Sequence, residues 1–277
     1  MLKTISAALA EATKQLRTAE IATARLDALV LLEDIVGMDR AQLLAYPDHE
    51  ITTTQNEQLT SLIERRAIHE PLAYIRQKTE FYGRDFFVDH RVLEPRPESE
   101  TIIDLLKKYR VFTPTTVIDV GTGSGALAIT AKLELPEMNV LALDIDTKCL
   151  EVTSHNIGQY GVKINLYESD LLADLPVAVL DRAILLCNLP YVPDGSPINE
   201  AAKYEPSKAI FGGSDGLDVY RRLFLQIEHL LRKPSYILTE SLPDSHQTLQ
   251  MIAEQTGFVL SETHDFVQVF NWPTDTV

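Results

Sequence analysis

From residue 115 onward the chain alternates short apolar runs with stretches of helical periodicity, an order that few folds accept. The pattern predicts strands at 115–120, 139–144, 163–167, 180–187 and 235–240, with helices from 124 and over 147–159, 217–231 and 245–256. Strands that alternate with helices build a mostly parallel sheet covered on both faces. The chain closes on a different note. Phe258-Val259-Leu260 and Phe266-Val267-Gln268-Val269-Phe270, within 258–261 and 265–270, predict a terminal antiparallel β-pair at one edge. The fold class is therefore α/β, with the sheet preceded by a small N-terminal helical domain.

That helical domain is read from the first 70 or so residues. Leu2, Ile5, Leu9 and Leu16, then Leu26, Leu29, Val30, Leu32 and Ile35, recur at helical spacing, and Gly37 is a plausible stop. A further helix runs from about Thr53, as N-cap, to Ile68. Glu80 to Asp89 is aromatic and β-prone around Gly83, which predicts a short hairpin. Pro95 and Pro97 stiffen the segment before a helix over about Ser99 to Tyr109. With 277 residues and roughly 150 per domain, two domains are expected. The division drawn is 1–75 for a helical bundle that docks a substrate, 76–98 for a hairpin linker and 99–277 for the α/β domain.

Two segments carry chemistry. Val117 to Val120 runs into Gly121-Thr122-Gly123-Ser124-Gly125, a turn whose backbone can approach a ligand closely. It lacks the Gly-Lys-Ser/Thr ending of a phosphate loop, which argues against triphosphate hydrolysis, and the later third glycine of a dinucleotide fingerprint is also absent. Asp144 ends the next strand, where a carboxylate suits a ribose diol; Asp146 competes for that role. Asp170, followed by Leu171, is placed to meet an adenine amino group, or to serve as a turn residue. Ala183 to Cys187 then delivers Asn188-Leu189-Pro190-Tyr191 to the same kind of strand end. A side-chain amide, a neighbouring carbonyl and an aromatic wall suit a planar NH2 group. Together these features fit S-adenosylmethionine beside a pocket for an amide or exocyclic amine.

At this point the chain resembles the class I methyltransferases, specifically the HemK/PrmC family, which methylate the glutamine of the Gly-Gly-Gln motif in peptide chain release factors. Ala24-Arg25-Leu26-Asp27-Ala28, Glu70 to Ile75, Glu80-Phe81-Tyr82-Gly83, Pro95-Arg96-Pro97-Glu98-Ser99-Glu100 and the two site segments carry the resemblance. It implies a Rossmann-like enzyme of translation termination that releases S-adenosylhomocysteine and uses no metal. Gly121 to Gly125, Asp144, Asp170, Leu171 and Asn188 would bind the cofactor. Asn188, Pro190 and Tyr191 would be catalytic. Asn188 and the Leu189 carbonyl would hold the glutamine NH2, with Pro190 and Tyr191 beside it. Arg96 and Glu98 would line the same cleft, or form a linker salt bridge instead.

An amide nitrogen is a poor nucleophile, so most of the rate should come from positioning. No catalytic histidine or cysteine is expected; His49, His69, His90, His155, His229, His246 and His264 lie outside the motifs, and Cys149 and Cys187 read as small buried residues. Two departures stand out. Leu189 occupies the place of the family's first proline, and the C-terminal pair lacks the family's glycine and arginine. Asn-Leu-Pro-Tyr is also the form of rRNA adenine N6-methyltransferases. Against that reading stand the N-terminal helices, the Pro-Arg-Pro-Glu-Ser-Glu linker and a net charge of −15, which repels a polyanion. Ribosomal protein L3 glutamine is a neighbouring substrate, and a non-catalytic S-adenosylmethionine-binding module is a further alternative. No apolar run approaches the roughly 18 residues that span a bilayer, and the N-terminus reaches Glu11 before any secretory core. A cytoplasmic monomer with a protein substrate, no direct nucleic acid and no membrane is expected.

Overall fold

The computed structural model describes residues 2–110 and 116–273. They form two compact units: Met1–Lys78 with Ile198–Tyr204, and Thr79–Pro197 with Glu205–Val277.

The smaller unit holds helices α1 (Ile5–Thr18), α2 (Ala24–Val36), α3 (Arg40–Ala45), α4 (Thr53–Ala67) and α5 (Leu72–Arg76). An antiparallel strand pair, Lys3–Thr4 with Glu50–Ile51, closes it. The apolar stripes of α1, α2 and α4 meet in a core around Leu16, Leu31, Leu32, Leu59 and Ile63. Gly37 ends α2 in the left-handed region, as the sequence predicts. The α4 cap is Thr52 rather than Thr53. Its hydroxyl accepts from Gln55 N–H and the Gln55 side chain reaches back to Thr52 N–H, a capping box that position 53 could not close. Leu2 and Leu26, although in register with the helical pattern, are exposed.

Asp27 and Arg66 form a buried pair between α2 and α4, Nε to Oδ2 2.7 Å. Arg66 also donates to the Glu70 carbonyl at 3.0 Å, and Arg65 pairs with the Glu70 carboxylate. Two of the family-like segments, Ala24–Ala28 and Glu70–Ile75, are thus held by consecutive arginines of α4. The returning segment Ile198–Tyr204 is pinned within this unit by the Tyr204 hydroxyl, which donates to the Ile68 carbonyl at 2.7 Å.

The larger unit opens with a hairpin, Thr79–Phe81 paired with Arg84–Phe86, whose turn residues Tyr82 and Gly83 both have positive φ. Its helices are α6 (Glu100–Tyr109), α7 (Ala126–Glu134), α8 (Thr147–Tyr160), the short α9 (Val177–Leu180), α10 (Asp218–Glu228) and α11 (His246–Gln255). Its strands are β1 (Thr116–Val120), β2 (Asn139–Asp144), β3 (Asn165–Glu168), β4 (Ile184–Cys187), β5 (Tyr236–Glu240), β6 (Val259–His264) and β7 (Val267–Asn271), in spatial order β6-β7-β5-β4-β1-β2-β3. Strands β1 to β5 run parallel; β7 pairs antiparallel with β5, and β6 antiparallel with β7. Central strands read as mainly apolar runs because both faces are covered, with Asp119 and Glu240 among the buried exceptions. Val117, Ile184 and Leu186 face one core with α6 and α7, while Ile118, Leu185 and Cys187 face the other with α10 and α11.

Several boundaries differ from expectation. The start expected at Thr115 lies outside the described residues. The segment 180–183 is not strand: α9 ends at Leu180, Arg182 turns the chain with φ +57°, and β4 begins at Ile184. Helix α7 starts at Ala126 because left-handed Gly125 is its N-cap. Helix α10 stops at Glu228, leaving Leu231 94% exposed. Strand β3 is shifted to 165–168; of the closing pair, β6 extends to 264 and β7 is shifted to 267–271.

Removing one partner of the buried Asp27–Arg66 pair leaves an uncompensated charge. Asp27→Ala should destabilise the protein by about 3–5 kcal/mol, read as a lower denaturant midpoint; Glu11→Ala, which breaks the solvent-facing Lys3–Glu11 pair, should lower stability by under about 1 kcal/mol.

Candidate active site

The site sits at the carboxyl ends of β1, β2 and β4, where strand order reverses between β1 and β4. After β1, Gly121, Gly123 and Gly125 adopt φ of +74°, +56° and +83°, a turn that side chains resist. Space is as limiting as dihedral angle. A Cβ on Gly125 would meet Thr153 Cγ2 at 2.7 Å, and one on Gly121 would meet Leu189 Cδ2 at 3.0 Å. Polar side chains hold the turn from below. Thr153 donates to the Gly123 carbonyl at 2.9 Å and Asn156 to the Ser124 carbonyl at 2.8 Å, both from α8. Asp119 is buried beneath it and takes both the Thr122 hydroxyl (2.6 Å) and Ala128 N–H (3.1 Å) on Oδ2. Burial pushes the Asp119 carboxyl up to about 7, against the pull of those two bonds.

Asp144, at the end of β2, accepts from Gly123 N–H on Oδ2 (3.0 Å) and from Asp146 N–H on Oδ1 (2.9 Å). Burial holds its carboxyl above the usual range. Each oxygen keeps a lone pair for a second donor, as a diol requires. Asp146 is used differently: it caps α8 through Lys148 N–H and pairs with Lys208. Asp170 pairs with Arg222, whose Nη2 lies 2.6 Å from Oδ1, so its carboxylate is already engaged. Leu171, buried with φ +57°, follows it.

Beyond β4, Asn188 Nδ2 donates to Ser99 Oγ at 2.8 Å. Leu189 is buried. The N–H that a proline would lack lies 3.4 Å from the Tyr220 hydroxyl, which itself bonds to the Cys187 and Glu240 carbonyls at 2.8 and 2.6 Å. The Leu-for-Pro departure therefore leaves no stranded donor. The Tyr191 hydroxyl donates to Glu240 Oε1 at 2.9 Å, and burial raises the phenol well above its usual range. The segment 210–216 presses on this chain: Val192 N–H reaches the Ile210 carbonyl and Gly212 N–H the Val192 carbonyl. A Cβ on Gly212 would lie 2.3 Å from the Pro190 oxygen, and one on Gly216 2.2 Å from the Tyr191 oxygen.

These elements enclose a cavity of about 360 Å³. Its wall includes Gly121, Thr122, Gly123, Ser124, Asp144, Asp170, Leu171, Asn188, Leu189 and Pro190. Gly125, Tyr191, Arg96 and Glu98 are not part of it. Arg96 is drawn to Glu205, Nη2 to Oε2 2.5 Å, with Glu94 at 3.7 Å; Glu98 is exposed. The sequence reading gave no site role of its own to Ser99, Asp119, Ile145, Lys208 or Arg222, all in the wall, nor to Glu205 and Glu240, which bond to Arg96 and Tyr191. Asp119 and Glu240 did carry a signal, as lone carboxylates in apolar strands, and Ser99 did as part of the Pro-Arg-Pro-Glu-Ser-Glu segment; the rest had none. No histidine lines the cavity. Cys149 does, but burial pushes its thiol up to about 12, which removes it as a nucleophile.

Gly212→Ala should destabilise by about 1–3 kcal/mol, because its Cβ meets a carbonyl. Gly158→Ala, in open space on α8, should stabilise by about 0.5–1 kcal/mol; thermal unfolding of both separates crowding from backbone entropy. For Asp119, the folded carboxyl stays protonated up to about 7 while the unfolded one ionises near 3.8. Between those values the folded state binds the extra proton, so raising the pH lowers stability. Relative to Asp119→Asn, the wild type should lose about 1.4 kcal/mol per pH unit across that window, and nothing further above it.

Comparison with known proteins gives a consistent picture. The PrmC N-terminal domain family matches residues 7–76, and the ribosomal protein L11 methyltransferase (PrmA) family matches residues 100–189. The chain is 36% identical to the release factor glutamine methyltransferase of Koribacter versatilis, over 86% of each chain. It is 34% identical to that of Moorella thermoacetica, over 94% of this chain and 93% of the relative, and 35% identical to that of Bacillus subtilis, over 86% and 83%. Among solved structures, the hMettl16 catalytic domain in complex with an RNA hairpin aligns at TM-score 0.53 and 14% identity, over 82% of this chain and 84% of that one. That likeness shows the class I methyltransferase fold.

Proposed function

The chain belongs to the release factor glutamine methyltransferase family, and on that footing we propose that it methylates the side-chain amide nitrogen, N5, of the glutamine in the Gly-Gly-Gln motif of peptide chain release factors. The methyl donor is S-adenosylmethionine. The observation that carries the reading is the Asn188 amide, anchored by Nδ2 to Ser99 in the wall of a cavity that also holds Asp144 and the glycine turn.

The residues present fit the donor. Asp144 keeps free lone pairs on both oxygens beside Gly123, the one glycine of the turn whose Cβ position is open, which suits a ribose diol. Gly121 to Ser124 offer backbone to the rest of the molecule, and Asp170 and Leu171 wall the far side, with Arg222 holding the Asp170 carboxylate in place. Bound there, S-adenosylmethionine supplies an electrophilic methyl carbon on a sulfonium.

The chain's own residues then have one task, to aim an amide nitrogen. Asn188 Oδ1 and the Leu189 carbonyl accept the two N–H hydrogens of the glutamine, and Pro190 limits the backbone freedom of the segment that presents them. Tyr191 lies outside the cavity wall; tied by its hydroxyl to Glu240, it anchors the segment that presents these acceptors. Holding both hydrogens orients the nitrogen and raises its electron density; correct placement accounts for most of the rate. No strong base is required, because the methylated nitrogen becomes acidic as it gains positive charge. Arg96 is assigned to the linker, through Glu205, rather than to the substrate. Among the described residues no helix is long and apolar enough to cross a membrane. The acidic surface supports a protein rather than a polyanion as substrate.

Labelled S-adenosylmethionine offered in parallel to a release factor, ribosomal protein L3 and rRNA should mark the release factor alone, at the Gly-Gly-Gln glutamine. Asn188→Ala should lower that transfer about 100-fold. Transfer that persists after the substrate glutamine becomes alanine, or that ignores Asn188→Ala, would overturn the reading.

A further inference from the structure

Glu240 is fully buried at the end of β5, beside the strand that delivers Asn188, and none of the steps above uses it. Its Oε1 accepts from the Tyr191 hydroxyl at 2.9 Å, while the buried Oε2 has no hydrogen-bond partner among the described residues. A buried carboxylate oxygen left this way is expensive unless a nearby donor serves it. Burial raises the Glu240 carboxyl, and the neighbouring Ser99 hydroxyl, whose hydrogen has no other acceptor among the described residues, pulls it back down. Ser99 is itself buried, and its oxygen already accepts from Asn188 Nδ2 at 2.8 Å.

We propose that Glu240 and Ser99 are positioning residues that set the polarity of the Asn188 amide. The inference rests on Asn188 being the residue that grips the substrate amide. A carboxylate can only accept. It therefore takes the single hydrogen of Ser99, and Ser99 is left able to offer Asn188 nothing but a lone pair. The NH2 end of Asn188 must then turn toward Ser99, which leaves Oδ1 for the cavity. That is the polarity an incoming NH2 group needs. An Asn188 amide turned the other way would present donors to donors. The chain of charge-assisted bonds also polarises the amide, making Oδ1 a better acceptor. Replacing the acceptor-only carboxylate with an amide, as in Glu240→Gln, removes the constraint: Gln can donate to Ser99, Ser99 can donate to Asn188 Oδ1, and the amide flips.

The test uses the full chain, labelled with nitrogen-15, and reads the Asn188 side-chain NH2 signals, assigned by their loss in Asn188→Asp. In the wild type one of the two protons should be shifted downfield and slow to exchange. Ser99→Ala and Glu240→Gln should return both to free-amide positions, and Ser99→Thr, which restores the hydroxyl, should recover the shifted signal. In parallel, Ser99→Ala and Glu240→Gln should lower kcat about 10- to 100-fold with the KM for the methyl donor unchanged, the double variant should be no worse than either single, and Ser99→Thr should recover turnover. Unchanged Asn188 signals in Ser99→Ala or Glu240→Gln would overturn the proposal, as would a loss that Ser99→Thr fails to recover. A wild type that shows the shifted proton but transfers nothing to a Gly-Gly-Gln peptide would sink the functional reading and leave this one supported.

Discussion

Everything at the site depends on β1 and β4 being parallel neighbours. Asp119 stands opposite Leu186 in that pairing, so the two strands end together and release the glycine turn and Asn188 at one edge. The chain runs outward from β1 through β2 to β3, then crosses to β4 on the other side of β1. The crevice left at that reversal is where open α/β sheets bind ligands. Contact between the two halves is direct: Leu189 packs so closely on Gly121 that a single added carbon would touch it. The turn that offers backbone to a cofactor and the segment that offers acceptors to an amide are therefore one packed object.

Beneath that edge lies an unusual density of buried polar groups, each with a specific duty. Asp119, Thr153 and Asn156 satisfy the backbone of the glycine turn, and Tyr220 bridges the carbonyls at the ends of β4 and β5. Such groups contribute little to net stability and a great deal to uniqueness of geometry. Asp119 shows the tension most plainly, because the same burial that makes it a rigid support also raises its affinity for a proton.

The local features of the site could be read from the chain alone, since glycines at a strand end, an acid ending the next strand and Asn188 to Tyr191 are each defined by their immediate neighbours. The sheet and its antiparallel edge were legible for the same reason: apolar periodicity is a local property. What the chain did not disclose was pairing across distance. Nothing near Ser99 announces that it will receive the Asn188 amide, nor does Glu205 advertise Arg96, nor Arg222 Asp170. Each partner is chosen by tertiary packing. The sequence pattern assigned no element to residues 198–204, yet they group with the helical unit. The boundary errors have equally physical origins, in a left-handed glycine at 125, a capping box at Thr52 and a turn at Arg182.

The central claim is that the Asn188 amide waits with its oxygen toward the cavity and its nitrogen on Ser99. A crystal structure of the protein with S-adenosylhomocysteine and a Gly-Gly-Gln peptide measures this most directly. The account predicts the peptide glutamine nitrogen within hydrogen-bonding distance of both Asn188 Oδ1 and the Leu189 carbonyl, with Nδ2 still on Ser99. An Asn188 side chain turned from the peptide, or a glutamine bound elsewhere, would contradict it.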